Sequence, residues 1–331
     1  MQIDSKLIQA ANEAGHKVLD LAPIFAGNSN AKPGIICAAN EQSFNDSFMS
    51  QPLTTFIAGM PDADKVQEAL QFIAPEVPAP RKFDYRTFGN SQQFLSETDD
   101  VRGLGAGFKV VDIKGDIAQG RTINKGLAFI GDLDQVGEIA NWEQIYTNWL
   151  RTRILRNDLR RATTALLALH AGTSKKWITT PVTDPDADLL DLVESLGDST
   201  GLNANALAIG STAWSYRVQN LRSTDKAGGF ASSMWTPQQL GEWLSLEQGA
   251  RKFNERYGTG SGDKTRLLAA YVVAFHRTES KVMEDPSSIK RFVTGTMQVY
   301  RRELGPKLVE ISVSHYSNLT STGSGKRLNI V

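Results

Sequence analysis

An uninterrupted helical pattern over residues 140–171 restricts the fold more than any other part of this sequence. Apolar residues recur at helical spacing, and neither glycine nor proline interrupts them before Gly172. They are Trp142, Ile145, Tyr146, Trp149, Leu155, Leu159, Ala162, Leu166 and Leu169. Such a helix extends for roughly 45 Å, whereas helices in globular proteins average about 11 residues. It is too long for one domain to cover completely, so we expect part of it to face solvent or a partner.

The pattern changes to a period of two at Arg81. Phe83, Tyr85 and Thr87 alternate with polar neighbours, which predicts a half-exposed strand. Further strands are predicted over residues 108–117 and 127–130, with a turn at Gly120 and a polar, glycine-rich stretch over 89–107. The segment 81–130 therefore consists of long strands with a polar tip and has few residues for a core of its own.

Shorter elements surround these two features. The helices predicted by periodicity and end signals are residues 3–20, 62–73, 186–196 (ended by Gly197), 214–221 and 237–246. The predicted strands are residues 206–210, 267–275 and the arms of a C-terminal hairpin, 289–302 and 307–316. In the second arm Val309, Ile311, Val313 and His315 alternate with polar residues, which is typical of a sheet with one wet face. The remaining segments are predicted as a stiff connector (75–80), a loop of small residues (227–233) and a glycine-rich loop (251–264).

Composition excludes several classes of protein. A chain of 331 residues can bury a large core without stabilisation by disulfide bonds. The lone Cys37 excludes a disulfide framework or a multi-cysteine metal site. The longest apolar run, residues 267–275, is about half of a membrane span. No signal-peptide core is apparent, so we expect a soluble protein made without export. With 36 basic and 36 acidic residues, the chain does not carry the excess positive charge needed to coat nucleic acid uniformly.

The charges are nevertheless segregated along the chain. Residues 184–198 carry six acids and no base, and residues 251–307 carry twelve bases against six acids. Five arginines lie close together on the long helix: Arg151, Arg153, Arg156, Arg160 and Arg161. Two interpretations of them remain open: they contact phosphates, or they form the solvated face of the helix with Asp158 paired to one of them. Such segregation is typical of a surface that meets different partners on different sides.

Two glycine-rich segments approach known nucleotide motifs without matching them. The segment Gly258–Thr265 resembles a phosphate-binding loop, but Asp263 stands before Lys264 where that motif needs glycine. The segment Gly103–Gly107 lacks the glycine spacing of a dinucleotide fingerprint and opens a strand instead of a helix. Both are interpreted as loops.

Candidate metal and catalytic residues are equally isolated. Asp184, Asp186 and Asp188 alternate as in a calcium loop, but Leu189 and Ser195 occupy positions that require glycine and glutamate. We therefore interpret the acids as the start of a helix, where the helix dipole favours negative charge. The histidines have no paired spacing, and no nucleophile motif is present; they are His16, His170, His276 and His315. The sequence therefore predicts no catalytic residue, no metal site and no cofactor.

The order of these parts resembles the major capsid proteins of tailed double-stranded-DNA bacteriophages, which have the Hong Kong 97-like capsid fold. The segments that carry the resemblance are an extended loop (Tyr85–Ile130), a spine helix (Trp142–Leu169), the entry to an axial domain (Asn203–Ala213) and a return strand (Val299–Pro306). The resemblance implies an α+β fold with four parts: an N-terminal arm (1–80), an extended two-stranded loop (81–135), a peripheral domain with the spine helix (136–200 and 290–331) and an axial domain (201–289).

The resemblance also implies a function. We expect a self-assembling subunit, not an enzyme, that forms pentamers and hexamers in an icosahedral capsid. Its partners would be a separate scaffolding protein, a cement protein and packaged double-stranded DNA contacted non-specifically, without a membrane. The capsid would assemble in the host bacterial cytoplasm, and the five arginines would face DNA or a neighbouring subunit. Some relatives are cross-linked through lysine; Lys109, Lys114 and Lys125 lie in the extended segment, but we expect a non-covalent shell.

Two other functions are kept as alternatives. The first is a cytoplasmic α+β enzyme whose site is assembled from distant residues. The second is a shell protein of an encapsulin-like nanocompartment, which shares the fold but encloses a different cargo.

Overall fold

The computed structural model describes residues 48–60, 65–88, 101–104, 108, 116–180, 182–223, 228–258 and 262–331. The chain divides into two compact units, residues 1–49 and residues 50–331. The helix predicted over 3–20 lies outside the described residues, as does most of the segment 89–115.

The second unit combines helices with two main sheets. Its helices are α1 (Gln51–Gly59), α2 (Val66–Ile73), α3 (Leu133–Val136), α4 (Trp142–Ala168), α5 (Pro185–Thr200), α6 (Ser211–Ser223), α7 (Gly229–Ser233) and α8 (Pro237–Trp243). Its strands are β1 (Glu76–Pro78), β2 (Lys82–Thr87), β3 (Asp116–Arg121), β4 (Ile123–Asp132), β5 (Thr173–Lys175), β6 (Ala206–Gly210), β7 (Ala250–Phe253), β8 (Arg256–Tyr257), β9 (Thr265–Arg266), β10 (Tyr271–Phe275), β11 (Ile289–Glu303), β12 (Leu308–Ser321) and β13 (Gly325–Ile330).

A four-stranded sheet has the order β1-β11-β12-β4. Its centre is the predicted C-terminal hairpin, in which β11 and β12 pair antiparallel. β4 pairs antiparallel with β12, and β1 pairs parallel with the start of β11. Val309, Ile311 and Val313 of β12 pack with Leu150 and Ile154 of α4 in one core. The sheet and the long helix therefore stabilise each other through this shared core.

A five-stranded sheet has the order β5-β13-β10-β6-β7. Ala206 and Ala208 of β6 lie in a core shared with α2 and α4. Leu207 and Ile209 lie in a second core shared with α5 and α8. Because helices cover both faces of this sheet, every residue of β6 is buried, as its apolar sequence predicts.

A separate two-stranded ribbon is formed by β2 and β3, which pair antiparallel. The turn predicted at Gly120 is wrong: this residue lies within β3, opposite Phe83. A Cβ atom at Gly120 would come within 2.6 Å of the Phe83 ring, so the ring occupies the space that a side chain would need. Phe83 also packs on Phe292 of β11, with ring centroids 4.4 Å apart, and thereby attaches the ribbon to the four-stranded sheet.

The strand predicted over 127–130 is confirmed, but it is longer and has a different role. It is β4, which pairs with β12 along residues 123–132 and not with the ribbon. Leu127 and Phe129 pack against the core beneath the four-stranded sheet. The ribbon therefore ends at Arg121, and the segment 81–135 assigned to an extended loop includes a strand of the neighbouring sheet.

The long helix is confirmed as α4, with 27 residues and a length of about 40 Å. The helix predicted over 62–73 is α2, which begins at Val66 in the described residues. The helix over 186–196 is also confirmed, but Gly197 does not end it. The helix continues to Thr200 and ends at Gly201, whose φ of 72° is readily adopted by glycine.

Five short elements differ from the sequence prediction. The connector 75–80 contains β1, an edge strand, where proline is tolerated. The predicted loop 227–233 contains α7, and the loop 251–264 contains most of β7 and all of β8. β13 is not predicted, because only Leu328 and Ile330 of its six residues are large and apolar. For β1, β7 and β13, pairing with a strand distant in the sequence stabilises an element whose local pattern is weak.

Candidate functional site

A basic groove of about 880 Å³ lies beside the long helix. One wall is the middle of α4, and the other is the segment 251–258 with Lys264 and Leu267. The start of α2 closes one side. The lining residues are Lys65, Val66, Trp149, Thr152, Arg153, Arg156, Asn157, Leu159, Arg160, Arg251, Lys252, Asn254, Glu255, Arg256, Tyr257, Gly258, Lys264 and Leu267.

The lining of this basic groove carries eight basic side chains and one acidic side chain, Glu255. Arg153, Arg156 and Arg160 are exposed and follow each other at three- and four-residue intervals along one face of α4. A concave surface lined by one sign of charge concentrates ligands of the opposite sign. The groove is therefore suited to a polyanion or to an acidic protein surface.

The structure divides the five arginines of the sequence prediction among three environments. Arg153, Arg156 and Arg160 line the groove. Arg151 is buried on another face of α4 and donates a hydrogen bond of 2.9 Å to Gln67 Oε1 of α2. Arg161 pairs with Asp158 at 2.9 Å. The predicted ion pair with Asp158 is thus present, and the other three arginines lie at the surface of the groove.

Two aromatic rings accompany the arginines in the groove. The guanidinium of Arg153 lies 5.0 Å from the ring centroid of Trp149, and that of Arg160 lies 5.2 Å from the centroid of Tyr257. Such cation–π contacts orient a guanidinium group without neutralising its charge. Trp149 is half exposed and adds an apolar surface beside the positive charge.

The second wall is held in place by Arg251. Its Nη1 atom lies 2.6 Å from Glu68 Oε1 of α2, and its Nη2 atom donates to the carbonyl oxygen of Lys65. β7, which contains Arg251, is in turn paired with β6. Sequence reasoning missed this wall because its basic residues lie about a hundred positions from the helix. Only the excess of bases over 251–307 pointed to it.

On another face of α4, Asp158 is buried at the centre of a charged network. Its carboxylate accepts a hydrogen bond of 2.7 Å from Lys125 Nζ of β4. The guanidinium of Arg291 lies 3.7 Å away, and the hydroxyl of Ser317 donates at 3.2 Å. Lys125, considered above for cross-linking, is thus occupied by an ion pair within its own chain.

Burial and neighbouring charges shift the pKa values of this network. Burial by itself raises the pKa of Asp158, but the positive charge and hydrogen bond of Lys125, with Arg291 and Arg161, bring it below its usual value. Burial lowers the pKa of Lys125 despite the attraction of Asp158. Burial, with the charges of Arg291 and Lys125, lowers the pKa of His315 to about 4. His315 is therefore neutral at physiological pH.

The acids at the start of α5 have structural roles, as the helix-start interpretation predicts. Asp184 caps the helix by accepting a hydrogen bond from the backbone N–H of Asp186 at 3.1 Å. The carboxylate of Asp186 pairs with Arg217 at 2.7 Å. Asp188 is buried and accepts hydrogen bonds from Lys175 and from the indole of Trp177. Each carboxylate is therefore occupied by a partner within the fold.

The other candidates do not converge on a site. His315 lies in β12, His170 and His276 lie in separate connecting segments, and His16 and Cys37 are outside the described residues. The part of the chain that the structure describes contains no group of three metal-binding side chains. Part of each glycine-rich segment also lies outside it, although Lys264 lines the basic groove. None of the described helices has the length and apolar character needed to cross a membrane.

Comparison with known proteins identifies the fold. The two sheets and the long helix form an α+β fold that is also found in a phage-related protein. That protein is from Bordetella bronchiseptica; the match has a TM-score of 0.63 and 15% sequence identity, and it covers 85% of this chain and 97% of the other. The α+β class and the resemblance to phage proteins predicted from the sequence are confirmed at the level of the fold.

More distant similarity is found to two assemblies. The capsid structure of cyanophage P-SCSP1u matches with a TM-score of 0.49 and 13% identity, over 79% of this chain and 87% of that one. A virus-like particle from Pyrococcus furiosus matches with a TM-score of 0.47 and 12% identity, over 84% and 98% of the respective chains. No family model and no curated protein sequence matches this chain.

Proposed function

We propose that this chain is the subunit of a self-assembling icosahedral capsid that encloses double-stranded DNA in a tailed bacteriophage. The observation that carries the proposal is the concentration of exposed apolar side chains in the ribbon and the segment that joins its strands. Val101, Leu104 and Phe108 each expose more than three quarters of their surface, and Ile117 of β3 exposes 69%. The fold, shared with a phage-related protein, supports the same function.

These side chains are costly to leave in water. Fully burying a large aliphatic or aromatic side chain stabilises a protein by roughly 1.5–3 kcal/mol. The main sheets are stabilised by cores that do not include them. They therefore become buried when the ribbon packs on a neighbouring subunit. The resulting stabilisation is repeated at every equivalent contact of a closed shell.

The domain roles follow from this proposal. Of the predicted N-terminal arm (1–80), α1, α2 and β1 pack on the sheets of their own subunit. Only residues 1–49, together with the ribbon, would therefore lie on neighbouring subunits, and the four-stranded sheet with α4 would form the peripheral domain. The five-stranded sheet would form the axial domain. β5 and β13 pair within this sheet, so parts of 136–200 and 290–331 contribute to it as well. A separate scaffolding protein, a cement protein and assembly in the host cytoplasm belong to the same proposal.

Electron microscopy and light scattering of the purified protein test this function directly. The chain is expressed alone and together with the proteins encoded next to it, which would include a scaffold. Closed icosahedral particles, or discrete pentamers and hexamers, are the expected result. Nucleic acid recovered from particles made during infection should be double-stranded DNA; a protein cargo would favour the nanocompartment alternative. A monomer under every condition would contradict the proposal.

A further inference from the structure

Helix α5 carries an acidic stripe, defined as Asp191, Glu194 and Asp198. All three side chains are exposed, and in the described part of the chain none of them forms an ion pair or a side-chain hydrogen bond. They differ in this respect from the three acids at the start of the same helix. Their spacing of three and four residues places them in one row along the helix.

The basic groove contains a row with the same spacing. Arg153, Arg156 and Arg160 of α4 also follow each other at intervals of three and four residues. Each row is about 10 Å long, because its first and last residues lie seven positions apart on the helix. Laid side by side in the same direction, the two helices would bring every arginine opposite a carboxylate.

The match extends to an apolar pair. Trp149 lies four residues before Arg153 and is half exposed, and Ala187 lies four residues before Asp191 and is exposed. In the same alignment the indole ring would cover the small side chain of Ala187. Leu190, also exposed on α5, adds apolar surface next to it.

We infer that the basic groove of one subunit binds the acidic stripe of a second copy of this chain. The inference rests on the proposed function and identifies two surfaces through which neighbouring subunits would contact each other. The groove and the stripe lie on different elements, and a head-to-tail contact between them repeats around a ring where its rotation closes. Pentamers and hexamers are such rings.

Duplex DNA is the other polyanion to consider. It would satisfy the arginines, but its bases are stacked inside the double helix, so Trp149 would meet only the sugar–phosphate backbone. Aromatic side chains that bind nucleic acid stack on unpaired bases. The acidic helix, in contrast, offers partners for both the charges and the indole ring.

Charge reversal tests the inference. The groove variant is Arg153→Glu with Arg156→Glu, the stripe variant is Asp191→Arg with Glu194→Arg, and a combined variant carries all four changes. A control reverses two exposed cations outside the groove, Arg222→Glu and Lys281→Glu. Thermal unfolding first verifies that every variant folds, and sedimentation velocity then measures the protein concentration at which rings and shells form.

We expect the groove variant and the stripe variant each to raise the protein concentration needed for assembly at least about tenfold. The combined variant should return it to within about threefold of the wild type. The control should behave like the wild type. Normal assembly by the groove variant, or a combined variant no better than either parent, would overturn the inference while leaving the proposed function intact. If the groove variant assembles normally but binds a labelled DNA duplex more weakly, the occupant is DNA. A wild-type chain that never assembles would overturn both proposals.

Discussion

The carboxylate of Asp158 on the long helix accepts a 2.7 Å hydrogen bond from the ammonium group of Lys125 on the edge strand β4. Asp158 is fully buried, and Lys125 nearly so. Arg291 of β11 and Ser317 of β12 complete the environment of the carboxylate. One acidic side chain thus connects three strands of the four-stranded sheet to the centre of α4.

Replacing this carboxylate should destabilise the fold strongly. Asp158→Asn leaves the buried cations Lys125 and Arg291 without their counter-charge, and breaking a buried pair in this way typically costs about 3–5 kcal/mol. Urea denaturation measures the loss. Arg161→Ala serves as the control: Arg161 contacts the same carboxylate from an exposed position and should cost less than about 1 kcal/mol. Equal effects of the two substitutions would contradict a central role for Asp158.

The stability of the folded chain should fall on acidification before Asp158 itself is protonated. The pKa of His315 is about 4 in the fold, against a usual value of 6.5, so between these values the unfolded chain binds a proton that the folded chain does not. Stability is therefore complete above about pH 6.5 and decreases towards pH 4, by about 3 kcal/mol. The lowered pKa of Asp158 contributes stability that is lost only at still lower pH.

The variant His315→Gln isolates this effect. Glutamine does not titrate, so the slope of stability against pH between 6.5 and 4 should become smaller than in the wild type. Urea denaturation at several pH values measures both slopes. The half-buried His170 provides the comparison. Burial, with the charges of Lys326 and Arg327, also lowers its pKa, but by less than for His315, so His170→Gln should reduce the slope less than His315→Gln does. A wild-type slope retained in His315→Gln would assign the pH dependence to other groups.

The elements that could be predicted from sequence are those whose own residues determine their structure. The long helix needs only its periodicity and the absence of glycine and proline. The apolar run of β6 and the alternation of β12 likewise indicate their burial directly. The acids at the start of α5 follow the preferences of helix N-termini: Asp184 caps the helix, and Asp186 and Asp188 lie in its first turn.

The parts that could not be predicted depend on distant partners. β7 is held by its pairing with β6, and its sequence, Ala-Arg-Lys-Phe, has no clear strand pattern. The basic groove lies between α4 and this strand, so the arginines of the helix predicted only one of its walls. The separation of Arg151 and Arg161 from the groove also follows from packing, because all five arginines look alike in sequence.

Gly210 should not tolerate a side chain. A Cβ atom at this position, at the end of β6, would overlap the backbone carbonyl groups of Leu268 and Ala269, which cannot move aside as a flexible side chain can. We expect Gly210→Ala to cost more than about 3 kcal/mol, or to prevent folding. Thermal unfolding measures the effect. Gly262→Ala is the control, since no atom lies within 4 Å of its Cβ position, and a similar loss in both would mean that the close approach is not the cause.

Polar substitutions in the segment that joins the ribbon strands should abolish assembly and leave the fold intact. Leu104→Ser with Phe108→Ser removes two large apolar side chains that make no contribution to the cores of the sheets. The free energy of unfolding should therefore change by less than about 0.5 kcal/mol, as for other surface substitutions. The burial proposed at the neighbouring subunit is lost, and with it roughly 1.5–3 kcal/mol for each side chain at every contact. Light scattering and electron microscopy should show subunits but no closed particles.

The matched control for this variant is Ile178→Ser with Val182→Ser. Both side chains are exposed and apolar, but they lie in the segment between β5 and α5 and are not part of the ribbon. They should leave assembly unchanged if the ribbon carries the contact. Deleting residues 90–106 extends the test, because it removes most of the segment that joins the ribbon strands and should leave a soluble subunit. Normal particles from the deletion or from the double serine variant would mean that the ribbon is not the element that joins neighbouring subunits.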